Sequence, residues 1–436
     1  MKKAAAFITV VILALIMTAC DKPEDNKEGN PVVATVNGEA IYKSEWEEIY
    51  LNYKQMLIIY SGIDASTQSG IETLEEYKTI ALDALIRARV VRQQADSMGL
   101  LDFSAEERAQ AEQNVREAME EDIKNYAEEL KESLPGKSDE EYYAQAKQAY
   151  ERDMADKGES IESRAQTLLE SEAEDELFNI IAQSVIPTQE DISNEYNSLL
   201  EKQRALYDEE INQFFNDYAA GETLIVYVPH DYVKMQHILI AYPSEQLDKI
   251  QNLYMDIYEL ETELKEEEDE EKRVELEEKR AELDKLMQEG AKLIQEETDQ
   301  LEQKALAADR DEFIQMVVNY TDDTGQNTKQ ACERGYLVGE GDYIDEAIRQ
   351  AVLSLEEGEV SQPVLTVNGY HIVRRDSVLK GGAISLESVK EKLTQQLTAQ
   401  REEDAWENSV EEWIKQAQVE RFDDIYSFCL LYTSPS

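Results

Sequence analysis

An α+β protein is predicted from three features of the 436-residue chain. Long tracts rich in Glu, Ala, Lys and Gln carry apolar residues at helical spacing. A few short runs of Val, Ile and Tyr stand apart from them and read as strands. Between about residues 246 and 306, isoleucines and leucines step by three and four through a strongly acidic background, the pattern of two helices zipped together.

Met1-Lys-Lys3, followed by an uncharged run from Ala4 to Ala19, has the basic start, apolar middle and small-residue end of a secretory signal. The run is shorter than the roughly 20 apolar residues of a membrane span. Met17-Thr-Ala-Cys20 resembles a lipobox, which implies lipidation on Cys20 and attachment to the outer face of the cytoplasmic membrane. Residues 20–31 then read as the lipidated cysteine and a flexible tether. At the other end, residues 428–436 resemble a translated sequencing adapter and are set apart from the fold.

Ninety-five acidic against 43 basic side chains give a net charge of −52. Such a surface repels nucleic-acid phosphates and anionic lipid, so nucleic acid is excluded as a partner and membrane contact is assigned to the lipid. Cys332 and Cys429 sit in no metal-ligand spacing, and no metal or other cofactor is expected.

Pro31 to Ile41 reads as two strands around an Asn37-Gly38 turn. Helix follows from Lys43, and Leu82, Leu85, Ile86, Val90 and Val91 fall near one face of a segment that Gly99 closes. Ser104 with Glu107 and Thr188 with Asp191 mark two further helix starts, with a long helical tract between them. Within the acidic insertion, Ile250, Leu253, Ile257, Leu260 and Leu264 form one seam and Leu276, Leu283, Leu286 and Leu293 a second. They predict an antiparallel hairpin with arms of about 20 residues, each about 30 Å long. Leu386 to about Gln418 reads as one amphipathic helix with Val389, Leu393, Leu397 and Trp406 inward.

Two of the three histidines lie in strand-like runs, Val233 to Ile240 and Asn368 to Val373. Side chains alternate along a strand, so His237 shares a face with Val233, Met235 and Leu239, and His371 with Gly369 and Val373. Pairing of the two strands would bring both imidazoles together on an apolar face.

These runs, with Thr321-Asp-Asp323, Leu355-Glu-Glu-Gly-Glu-Val-Ser-Gln-Pro363 and Thr366-Val-Asn-Gly-Tyr-His371-Ile, resemble the parvulin-type peptidyl-prolyl isomerases in content and order. Val36-Asn-Gly-Glu-Ala-Ile41, Leu82-Asp-Ala-Leu-Ile86 and Ile186-Pro-Thr-Gln-Glu-Asp-Ile192 are similar to the chaperone portion of the SurA and PrsA foldases. The resemblance implies a helical chaperone domain over 32–231 and an antiparallel-sheet isomerase domain over 232–378 carrying the hairpin insertion. It also implies a C-terminal helix over 383–427 that packs back on the chaperone lobe. It assigns His237, Asp323, Thr366 and His371 to the catalytic floor, and Ile344, Ile348, Tyr343 and Arg334 to the proline pocket.

The pocket departs from the family pattern. Isoleucines stand where the family has Met and Phe, and Arg334 where it has Leu, so the expected isomerase activity is weak or absent. The implied partners are unfolded or partly folded secreted proteins with X-Pro bonds, and a dimer is compatible with the sequence. Two other readings stay open at this point: a non-catalytic holdase with a degenerate isomerase domain, and a structural envelope lipoprotein.

Overall fold

The computed structural model describes residues 30–266 and 269–426. The signal-like run, Cys20, most of the tether and the adapter-like tail lie outside the described residues. The strands in chain order are β1 (Val32–Val36), β2 (Glu39–Tyr42), β3 (Tyr227–Val228), β4 (Tyr232–Ala241), β5 (Tyr336–Val338), β6 (Val364–Thr366), β7 (Gly369–Leu379), β8 (Gly382–Ala383) and β9 (Val419–Arg421). Contacts divide the molecule into two units, one running to Ile186 and resuming at Thr398, the other spanning Pro187–Leu397.

In the first unit, β1 and β2 form a hairpin whose turn residues Asn37 and Gly38 both have positive φ, as a tight two-residue connection requires. β9, from the far end of the sequence, adds antiparallel to the other edge of β1. Val33, Val36 and Ile41 pack on Trp46, Ile49 and Tyr50 of helix Lys43–Tyr60 and on Leu82, Leu85 and Ile86 of helix Gln68–Ser97. The long polar tract is three helices, Ala105–Ser133, Asp139–Asp156 and Ile161–Ala182, and breaks fall at Pro135-Gly136 and Gly158. Ser104 and Glu107 form a reciprocal capping box at the first of them. Trp406, Val410 and Trp413 of the C-terminal helix Leu386–Gln416 pack on Val91, Ala95 and Leu177.

The second unit starts earlier than residue 232 because helix Gln189–Glu209 is tied to β3. The buried Gln203 amide donates to Leu224 O at 2.7 Å and accepts from Val226 N–H at 2.8 Å. Phe214, from helix Ile211–Ala220, stacks on Tyr232 of β4 with centroids 5.3 Å apart. The sheet runs β5-β4-β7-β6 and is antiparallel throughout. One face carries Met235, Val338, Val373, Ile348 and Val352; the other carries Ile238, Ile240 and Ile372.

That second face is covered by the inserted hairpin, whose arms are Ser244–Glu266 and Glu270–Ala307. Lys279–Asp256 at 2.8 Å and Lys272–Glu263 at 3.1 Å set the arms antiparallel. The second arm has 38 residues, and at 1.5 Å per residue it is about 57 Å long, nearly twice the expected arm. Its two halves do different work. Leu276 and Leu283 close the seam with Ile250 and Ile257, whereas Ile294, Leu301 and Ala305 lie with Phe313 and Ile372. Gly290 marks the change, because a side chain there would meet the Tyr242 ring at 2.7 Å. Leu293, which the leucine spacing assigns to the seam, is 65 % exposed; the helix turns Ala291 and Ile294 inward instead. Burying each such aliphatic side chain is worth roughly 2 kcal/mol, so the sheet end anchors the arm.

The β6–β7 connection supplies a test. Gly369 has φ +141, and a Cβ there would fall 2.1 Å from Ile240 O on the neighbouring strand. Gly369→Ala should destabilise the protein by on the order of 3 kcal/mol, read as a lower urea midpoint with an unchanged m-value. A midpoint equal to wild type would show that the turn adopts another path.

Candidate active site

Register builds the site. β4 and β7 pair His237 with Val373 and Leu239 with His371, so the histidines lie diagonally across adjacent strands on one face. Their Nδ1 atoms are 2.9 Å apart and their rings stack with centroids at 5.0 Å. Both are buried, His237 to 6 % exposure and His371 to 4 %.

β5 pairs only with Val233–Met235, which leaves the Leu239–Ala241 edge of β4 free. The segment after helix Arg310–Tyr320 docks there. Leu239 N–H donates to Thr321 Oγ1 at 3.1 Å, Asp322 N–H to Leu239 O at 2.9 Å, and Ala241 N–H to Asp322 Oδ2 at 2.8 Å. This stitching delivers Asp323, whose Oδ2 lies 2.7 Å from His237 Nε2. At the other end, Thr366 Oγ1 lies 2.9 Å from His371 Nε2 and accepts from Asn368 N–H at 3.2 Å.

One proton per imidazole satisfies the whole run. The Thr366 hydroxyl donates to His371 Nε2, His371 Nδ1–H donates to His237 Nδ1, and His237 Nε2–H donates to the Asp323 carboxylate. Burial, reinforced by the neighbouring His237, pushes the His371 pKa down to about 3, which keeps this ring neutral. Burial alone would raise Asp323, yet hydrogen bonds from His237, Gly325 N–H and the Tyr336 hydroxyl hold it at about 2.

Tyr336 is a member that the motifs do not single out. Its hydroxyl donates to Asp323 Oδ2 at 2.8 Å and its ring meets His237 edge-on at 5.4 Å. Its one signal in the sequence is its place directly after Gly335, at the start of a strand on the histidine face. Burial of the hydroxyl and its bond to Asp323 both raise the Tyr336 pKa, which keeps it a donor.

The four residues assigned to the proline pocket separate. Ile348 is buried and Ile344 half-buried, and both join Met235, Val373 and Val364 in the apolar cluster on the histidine face. Tyr343 stands 77 % exposed in solvent. Arg334 is directed elsewhere: its guanidinium fills the space beside Gly221, and its carbonyl accepts from the Tyr218 hydroxyl at 2.6 Å. Its long side chain thus avoids burying a charge in the apolar cluster. The loop that carries Ile344 is fixed by Asp342, which is ion-paired to Arg349 and accepts from Gly339 N–H at 2.6 Å and Ile344 N–H at 2.9 Å. Among the described residues, no group of His, Cys, Asp or Glu is arranged to hold a metal ion.

The network fixes a pH dependence. The folded His371 pKa of about 3 lies below its ordinary 6.5, so its contribution to stability is complete above pH 6.5 and declines as pH falls toward 3. Asp323 adds a second loss only below its ordinary 3.8, on the way to 2. Between pH 7.5 and 4.5, His371 should therefore account for roughly 2–3 kcal/mol of lost stability in urea titrations. The same pH step should shrink by that amount in His371→Asn, and an equal step in both proteins would show that His371 is not held neutral.

Residues 1–146 match the family model described as a SurA-like N-terminal domain, and residues 201–391 match the PPIC-type PPIase domain. The sequence is 21 % identical over 432 residues to the Foldase protein PrsA of Clostridium botulinum strain Langeland, covering 97 % of this protein and 98 % of that one. The PrsA of Clostridium perfringens strain ATCC 13124 is 26 % identical over 133 residues, 29 % of this protein and 39 % of the relative. A crystal structure of PrsA from Bacillus subtilis aligns over 91 % of this protein and 97 % of its own length, at 17 % identity and a TM-score of 0.21, too loose for any comparison of sites. Two family models in this order, each over the part of the sequence that carries its motifs, show that the chain belongs to the SurA/PrsA-like foldases with a PPIC-type, or parvulin, peptidyl-prolyl isomerase domain.

Proposed function

We propose that the protein is an extracytoplasmic foldase that isomerises X-Pro bonds in secreted proteins, with Asp323, His237, His371 and Thr366 as the floor of its active site. The observation that carries this reading is the continuous hydrogen-bonded run from Thr366 to Asp323 beside the apolar cluster of Ile344, Ile348 and Met235. Rotation about an X-Pro bond requires the amide to lose its resonance, against a barrier close to 20 kcal/mol. No bond is made or broken, so the site needs neither nucleophile nor cofactor. It must bind the twisted amide better than the planar one.

The two histidines are too buried to meet a substrate directly. Their part is to hold Asp323 and Tyr336 in place and to set the local field with no proton free to reorganise. Ile344 and Ile348 offer the proline ring aliphatic area without a flat aromatic face, a difference of about 1 kcal/mol in ring packing. Catalysis is accordingly expected to be modest. Attachment to the membrane through Cys20 is part of the proposal and rests on the Met17-Thr-Ala-Cys20 motif; absence of fatty-acid labelling in expressing cells, or labelling that survives Cys20→Ala, would refute it.

A protease-free proline isomerisation assay on the purified full-length protein tests the central claim. A rate above buffer is expected, lowered severalfold by Ile348→Ala through substrate affinity and by Asp323→Asn through kcat, with His371→Ala acting chiefly by destabilising the fold. A wild-type rate equal to buffer would rule out catalysis. Suppression of client aggregation that then persisted in the His237 and His371 variants would favour a holdase.

A further inference from the structure

Arg374 lies on β7 facing away from the histidines. It pairs across the sheet with Gln236, and Val360 bridges it on its other side. Arg374 is only 9 % exposed, its Nε has no hydrogen-bond partner, and neither amide atom of the fully buried Gln236 has one. Among the described residues, none of the many carboxylates pairs with this guanidinium. The acids near it in sequence are engaged: Glu359 accepts from Glu356 N–H at 2.7 Å, and Asp376 accepts from Arg310 at 2.7 Å. Arg375, the adjacent arginine, donates to Leu355 O at 2.6 Å.

A cleft of about 840 Å³ opens at Arg374, lined by Leu306, Val360 and Pro363 together with Ser361, Gln362 and the acidic Glu359. Nη2 points along the loop at Gly358, where an added Cβ would stand 3.7 Å away. The Nε of this guanidinium is shut off from water with no partner, while its terminal nitrogens face the cleft, where an anion can pair with them. A protein with 95 acidic residues has no shortage of partners to offer, and among the described residues none is supplied here.

We propose that this cleft is a binding subsite for a carboxylate carried on a short apolar peptide, either a free peptide C-terminus or an acidic side chain. The planar guanidinium would receive the carboxylate side-on through charge-assisted hydrogen bonds, and Leu306, Val360 and Pro363 would take the apolar body. The site is separate from the histidine network, and its test does not use isomerase activity.

Calorimetric titration of the full-length protein with N-acetyl-Leu-Ala, its C-terminal amide, and N-acetyl-Leu-Glu-amide separates the possibilities. The free acid should bind at least about tenfold more tightly than the amide, the share expected of one charged hydrogen bond. Binding of N-acetyl-Leu-Glu-amide as tight as that of the acid would assign the ligand to acidic side chains; weaker binding would assign it to peptide C-termini. Arg374→Met should abolish the preference for the acid while leaving the Tm equal or higher, because among the described residues the side chain makes no hydrogen bond or ion pair that the change would break and its buried Nε has no partner. Equal affinity for acid and amide, an equally tight titration by inorganic phosphate, or a Tm several degrees lower in Arg374→Met would overturn the proposal.

Discussion

The contact between His237 Nδ1 and His371 Nδ1 is the constraint on which the site depends. Two ring nitrogens 2.9 Å apart in a buried setting must share a proton, one donating and one accepting. Because the Asp323 carboxylate can only accept, His237 carries its proton on Nε2, and the shared contact then fixes both tautomers and the direction of every bond from Thr366 to Asp323. It also fixes the strand register, since a slip of one residue would turn one histidine to the opposite face. The Thr321–Asp323 segment and the tight turn at Gly369 are the backbone devices that hold the two ends of this run.

The sheet of the isomerase unit separates two environments. On one face, a hydrogen-bonded polar run lies beside aliphatic side chains; on the other, the inserted hairpin closes an aliphatic core. The hairpin's long arm is more than an appendage, because its C-terminal half supplies part of that core. The acidic character of the protein is carried outside both layers, where ion pairs between the arms such as Lys279–Asp256 are solvent-exposed and contribute little individually. Arg374, a buried cation left without an acid among the described residues, sits at the end of the hairpin-facing layer, where the sheet edge opens into a cleft.

Much of this was legible in the sequence. The Asn37-Gly38 turn, the capping boxes at Ser104 and Thr188, and the alternation around His237 are local patterns whose cause lies within a few residues. Other features were not. The seam assigned through Leu293 fails because the helix leaves its partner arm at Gly290 and turns toward the sheet, a change that heptad spacing does not record. Tyr336 is invisible to a motif because its role comes from meeting Asp323 across the loop and short helix Lys329–Arg334 that separate them. Arg334 avoids the apolar cluster because Gly221, more than 100 residues away, leaves room for it.

The sequence by itself determined the family, the α+β class, the order of elements and the identity of the histidine, aspartate and threonine run, since each is written in periodicity, capping or short motifs. Only the tertiary structure decided which of the residues near the proposed pocket share a surface, where the compact units divide, and which buried charge lacks a partner. Those depend on distances between residues far apart in the sequence, and side-chain packing, not sequence spacing, sets such distances.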